Sequence, residues 1–405
     1  RNTMVALALA LLGVGSGCQA QAPMTDADLR TMIDTLLPGI VEVSGMEVRR
    51  PVRFAMQSRE EARAFIRSEL DKELGPEGSG MERAYKLFGL LPDTLDLRAM
   101  LLDLYVEQVV GYYDPAADRL YVLDEASPAT AAPVVAHELV HALQDQHTDL
   151  DSLVARERGN DRQMAAQAAA EGQATLVMVG LQAAQLSEQP VDLATLPDLG
   201  EMMRPALEAE NTRFPVFRRA PRLVRETLLF PYVRGAGFVQ ALFRARADTG
   251  PPPIPFGDLL PQSTEQVMAP EARFLAERDH PTEIRLGEAG GDWRVTYSNT
   301  LGQLETSILL TEHSGSDAAE GAQGWDGDRY GLLRDPAGQE ALVWYSVWDD
   351  AASADRFARL LRSTGRADGV ERLAVDGREL VRVVIGPVDR AALPAVASLA
   401  EEGQR

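Results

Sequence analysis

PATAAPVVAHELVHALQ, residues 128 to 144, contains His137-Glu138-Leu139-Val140-His141 and decides how the rest of the chain is read. Glu138 is its only carboxylate and it carries no Lys or Arg, the pattern of a helix buried on most sides. On a helix, residues four apart share a face at one turn's difference in height, so His137 and His141 converge while Glu138 stands beside them. Two imidazoles and an adjacent carboxylate at that spacing suit a hydrolytic zinc site, with the histidines as ligands and Glu138 as general base. Pro133 fits the first turn of such a helix, where its missing N–H costs nothing.

A catalytic zinc usually takes three protein ligands and keeps a fourth place for water, so a third ligand is expected downstream. Two residues compete. His147 stands ten residues after His137, the third-histidine spacing of the pattern HExxHxxGxxH, but Gln144 occupies the place where that pattern needs Gly for a sharp backbone turn. Glu171 is the only charged residue between Met164 and Leu181, and an ionised carboxylate in an apolar helix is costly unless it is paired or binds a metal. Glu171 is therefore favoured, and Gly172 beside it would let the zinc helix approach closely. His147 then reads as a cation at a helix end or a solvated loop residue.

An HExxH helix followed by a glutamate on a later helix resembles the gluzincin branch of the zinc metallopeptidases. Upstream, Val109 to Ala126 (VVGYYDPAADRLYVLDEA) reads as strand, Asp-Pro turn and strand. The resemblance implies that an edge strand there pairs with an extended substrate, although the hairpin serves equally well to close a small sheet. More narrowly, GYYDP, HELVHALQDQH, EGQAT, FPYVRGAGFV (230–239) and QSTEQVMAPE (262–271) look like a family of bacterial and archaeal envelope proteins classed as candidate metallopeptidases, a likeness spanning about residues 93 to 285. In the thermolysin type an aspartate four residues after the glutamate ligand orients a zinc histidine. Here that place is Thr175, so the orienting group comes from elsewhere, with Asp145 as the nearby candidate. Gluzincins often use a Tyr or His to stabilise the oxyanion, and Tyr232 is the choice, ahead of His280.

The chain has 405 residues, 45% of them hydrophobic, enough for two or three domains. Its formal charge of −21 repels nucleic acid and anionic lipid surfaces, so neither is an expected partner. Met4 to Gly17 is an apolar run ending at Cys18, the sole cysteine, and resembles a bacterial lipoprotein signal. Residues 1–22 are accordingly expected to be signal and tether, with lipid on Cys18 holding the protein to the bacterial cell envelope, on its periplasmic or extracellular face. Thr25 to Leu37 reads as a helix closed by Pro38, VRRPVRFAM as a strand, and Ser58-Arg59-Glu60-Glu61 as a capping box opening a helix toward Leu74. GPEGSG is a loop and Asp96 to Gln108 a helix. Two further helices are expected over Glu201–Asn211 and Leu223–Ala247.

Beyond Asp292 the texture turns to strands: WRVTYSNT, LETSILLTEH, RYGLLRD, EALVWYSVWDD and VRVVIG alternate, with helical patterns at Ala352–Ser363 and Ala391–Ala400. The expected fold is α+β: a mainly helical zincin-like domain with a small β hairpin or sheet (23–285), then an antiparallel α+β accessory domain (286–405). The expected function is a zinc-dependent metallopeptidase acting on peptide or protein, with Glu138 and Tyr232 catalytic and Zn2+ on His137, His141 and Glu171. Two alternatives stay open: a non-catalytic zinc lipoprotein serving as a binding module, and a zinc hydrolase of non-peptide amides.

Overall fold

In the computed structural model, residues 6–9, 24–75, 78–153, 159–187, 191–247 and 250–401 are described. Cys18 and most of the expected signal segment lie outside them. The described residues form an α+β protein whose helices gather around one small sheet and whose C-terminal part is built on an antiparallel sheet.

Strand β1 (Ala6–Leu9) is followed by α1 (Asp26–Ser44), β2 (Phe54–Gln57), α2 (Arg59–Leu74), α3 (Gly78–Phe88) and α4 (Leu97–Gln108). Both expected helix starts carry their caps. Ser58 accepts from the Glu61 N–H while the Glu61 carboxylate accepts from Ser58, and Thr25 with Asp28 closes the same box on α1. Pro38 does not end α1, which runs six residues further to a left-handed Gly45. The lost hydrogen bond is outweighed by burying Ile40 and packing Val43 against the neighbouring helices. Of GPEGSG, expected as a loop, residues 78–80 open α3, and residues 76–77 lie outside the described residues.

The hairpin of β3 (Val109–Asp114) and β4 (Arg119–Leu123) forms as expected and lies at the centre of a mixed sheet ordered β1-β3-β4-β2. Ala6 to Leu9 pair antiparallel with β3, and Phe54 to Gln57 pair parallel with β4. Thus the outer edge of β3 carries the chain's own residues. Against this sheet lies α5 (Pro128–His147), whose Val135, Leu139, Val140 and Leu143 pack with Leu29, Ile33 and Ile40 of α1 and Leu120 and Val122 of β4. Since α5 starts at Pro128, Pro133 is its sixth residue rather than a first-turn proline; Ser127 caps the true start.

After α6 (Leu150–Leu153) come α7 (Asn160–Ser187), α8 (Leu199–Asn211), α9 (Pro215–Arg219), α10 (Arg222–Arg246) and α11 (Thr264–Met268). No helix among the described residues is long and apolar enough to cross a membrane. Helices α7 and α10 cross where Gly172 meets Gly235; a Cβ on Gly172 would stand 2.1 Å from the Gly235 carbonyl carbon, which is why both positions lack one.

The C-terminal part comprises β5 (Thr282–Leu286), β6 (Arg294–Asn299), α12 (Gly302–Ser314), β7 (Trp325–Arg334), β8 (Glu340–Trp348), α13 (Ala351–Ser363), β9 (Gly369–Val375), β10 (Arg378–Ile385) and β11 (Val396–Glu401). Five strands form an antiparallel sheet ordered β6-β7-β8-β10-β9, while β5 pairs with β11. LETSILLTEH, expected as a strand, is the body of α12. Its start is held by Asp328 of β7, whose carboxylate accepts from the Leu301 and Gly302 N–H groups at 2.9 and 2.8 Å. Ala391–Ala400, expected as a helix, is a short turn followed by β11, because β5 offers an unpaired edge about a hundred residues upstream.

Candidate metal centre

Helix α5 presents His137 and His141 on one face, as their spacing requires, and α7 brings Glu171 to meet them. His137 Nε2 lies 2.9 Å from Glu171 Oε2, His141 Nε2 3.4 Å from the same oxygen, and the two Nε2 atoms are 3.1 Å apart. A tetrahedral ion with bonds of about 2.0–2.1 Å would space its ligand atoms about 3.3–3.4 Å apart. The three atoms therefore stand at the edges of one coordination sphere. All three residues are buried, and Glu171 Oε1 has no hydrogen-bond partner, an orphaned carboxylate oxygen of the kind a cation satisfies. The group His137, His141 and Glu171 can hold a metal ion.

The electrostatics point the same way. Burial would raise the Glu171 carboxyl, but His141 and His137 facing it hold it down to about 2. Burial lowers His137, against the pull of Glu171, whereas for His141 the Glu171 and Glu138 carboxylates overcome burial and raise it. A buried carboxylate in this place demands a positive charge, which a proton on His141 or a divalent cation would supply.

Glu138 is fully buried beside the histidines, and its Oε2 accepts the Tyr113 N–H of β3 at 2.7 Å. The hairpin thus aims the carboxylate. Tyr232, from α10, also arrives at the triad: its ring centre is 6.0 Å from that of His137. Burial, then the Glu171 and Glu138 carboxylates, push its hydroxyl well above the ordinary tyrosine value, so it stays a proton donor.

Asp145, the candidate for orienting a zinc histidine, does not touch one; it accepts from the Tyr113 hydroxyl and pairs with Arg50. The orienting residue is Gln144. His141 Nδ1 meets Gln144 Oε1 at 2.8 Å, while Gln144 Nε2 donates to the Ala170 carbonyl and to Gln173 Oε1 at 2.9 and 3.0 Å. The Ala170 carbonyl accepts only, which fixes the amide's orientation and leaves its oxygen for His141. Nδ1 must then donate, which leaves Nε2 as the nitrogen a metal would take. Sequence reasoning weighed Gln144 only as a missing glycine; its place three residues after His141, on the same helix face, was the available signal. His147 is bonded to the Glu47 carbonyl and is not part of the group formed by His137, His141 and Glu171. His280 is also elsewhere, against Gln262.

A second set of acids, Glu265, Asp279 and Asp349, surrounds Arg273, which ion-pairs with each of them and already supplies their counter-charge.

A family model described as a domain of unknown function (DUF8575) matches residues 293–394, which excludes all three candidate ligands. No curated protein matches the chain. Among solved structures, one from Chloroflexus aurantiacus described as "a putative hydrolase with a novel fold" aligns at 17% identity over 62% of this chain and 90% of that one, with a TM-score of 0.34. A score that low carries no argument about this chain's fold or chemistry.

Proposed function

We propose that this chain is a zinc-dependent metallopeptidase. The supporting observation is the convergence of His137, His141 and Glu171 from two helices, with Glu138, the neighbour of His137, held by the Tyr113 N–H. Two imidazoles and one carboxylate are a zinc donor set that leaves a coordination place for reaction, and no fourth His, Cys, Asp or Glu joins them among the described residues. Bound zinc would supply Lewis acidity, bringing the pKa of water toward about 7. Glu138 takes the proton from the attacking water and hands it to the departing amine, so the amide and water become a carboxylate and an amine. Tyr232 donates its hydroxyl proton in a hydrogen bond to the carbonyl oxygen as negative charge grows there. We further place the protein at a bacterial envelope, tethered by lipid on Cys18; cleavage before Cys18 would remove Ala6 to Leu9 and open the outer edge of β3, and mass spectrometry of the mature N-terminus tests that assignment.

The deep burial of the triad favours a second reading, in which the zinc is structural and the protein binds a partner without cutting it. Metal analysis together with a peptide-library digest separates the two, comparing the parent with Glu138→Gln. On the peptidase reading the variant keeps its zinc and loses cleavage by about 10²- to 10⁴-fold. A zinc-loaded parent that cuts only non-peptide amides, or nothing, overturns it.

A further inference from the structure

A cavity of about 950 Å³, at the upper end of the size of ligand sites, lies between the helical part and the C-terminal sheet. One wall is apolar: Ile66 and Leu70 of α2, Leu101 and Leu104 of α4, and Leu228 of α10. The strands β5, β6 and β7 also line the cavity, with Ser298 and Asn299 beside the apolar Ile284, Leu286 and Val295. Tyr232 belongs to the cavity lining and its ring centre lies 6.0 Å from that of His137, so one side chain borders both the cavity and the metal centre. Strand β6 is an end strand of its sheet and pairs, as a strand, with β7 alone.

We infer that this cavity receives an extended peptide segment, its backbone added along β6 and its apolar side chains turned toward α4 and α10. End strands accept extended chains through main-chain hydrogen bonds, with alternate side chains read by pockets on one face. Such a ligand offers main-chain groups to β6 and hydrocarbon to Leu101, Leu104 and Leu228, with Leu286 and Val295 as further apolar contacts on the strand side. The C-terminal part of the chain, which includes the region matched by a family of unknown function, thereby becomes the wall that positions substrate. This deepens the peptidase reading and rests on it for what happens once the segment reaches Tyr232.

The test uses the full chain loaded with zinc and carrying Glu138→Gln, so that peptides bind without being cut. Labelled peptides of about ten residues, one rich in Leu and Phe and one rich in Ser and Gln, are titrated while amide exchange is followed over residues 294–299. We expect the apolar peptide to bind more tightly and to slow exchange over 294–299. Adding Leu101→Gln and Leu228→Gln, both at half-buried positions, should weaken that peptide about tenfold and leave the polar one unchanged, with zinc content unaltered. Equal affinity for both peptides, or unaltered exchange over 294–299, overturns the inference even if the parent cleaves peptides. Binding that protects 294–299 in a chain whose parent cuts nothing upholds the cavity and sinks the peptidase instead.

Discussion

Gly172 and Gly235 face each other at the crossing of α7 and α10, close enough that a Cβ on either would collide with the other helix's backbone. Glu171 precedes Gly172, and Tyr232 lies one turn before Gly235, so this contact brings the candidate third ligand and the candidate oxyanion donor to one place. Gly172→Ala is expected to push the helices apart, lowering stability by about 1–3 kcal/mol and weakening zinc binding in the same variant. Thermal unfolding and a chelator competition assay check both; unchanged zinc affinity would separate the helix contact from the site.

Gln144→Leu removes the acceptor for His141 Nδ1 and frees the ring to turn or change tautomer. Zinc affinity should fall by about 10- to 100-fold with the helix intact by circular dichroism. Gln144→Glu still accepts from Nδ1 but sets a carboxylate oxygen against the Ala170 carbonyl, so its zinc affinity should fall between those of Gln144→Leu and the parent.

Removing the ion should cost stability as well as activity, because the triad forms only in the folded chain. With free zinc at 100 times its dissociation constant, binding contributes about 2.7 kcal/mol, so a chelator should lower the melting temperature of the parent and leave Glu171→Ala nearly unaffected.

A separate buried acid group joins the helical part to the C-terminal sheet. Burial raises Glu305 to about 8, with Asp161 and Asp328 adding to the rise while Tyr85 and Asn160 hydrogen bonds oppose it; Asp161 is raised to about 7, also chiefly by burial. A raised folded-state pKa means that the native protein holds protons the unfolded chain has released. Their contribution to stability is whole below about pH 4, declines as pH rises, and is lost above about pH 8. Melting temperature should fall across that window, and Glu305→Gln, which keeps the neutral shape, should flatten the decline.

Much of the helical part was legible in the residues because its signals are local. The capping pair Ser58 and Glu61, the Asp-Pro turn between β3 and β4 and the uncharged run around Glu171 each report on a few neighbouring positions. The failures share one cause. Segment 302–314 is buried nearly all round, so it lacks a one-faced period, and what starts its helix is a carboxylate from β7. Segment 396–401 became a strand because β5 was there to pair with it. Pro38 was tolerated because of what α1 packs against.

The same division runs through the candidate site. The amino-acid order alone determined that His137, Glu138 and His141 share a neighbourhood, since helical pitch brings residues four apart together wherever the helix lies. It also marked Glu171 as a carboxylate needing a counter-charge. Only the tertiary structure decided that Glu171 lies 2.9 Å from His137, that Gln144 rather than Asp145 holds His141, and that Tyr113 aims Glu138. Those contacts join residues on different elements, and their geometry depends on how helices cross and which strand edge is near, which no local period of the chain encodes.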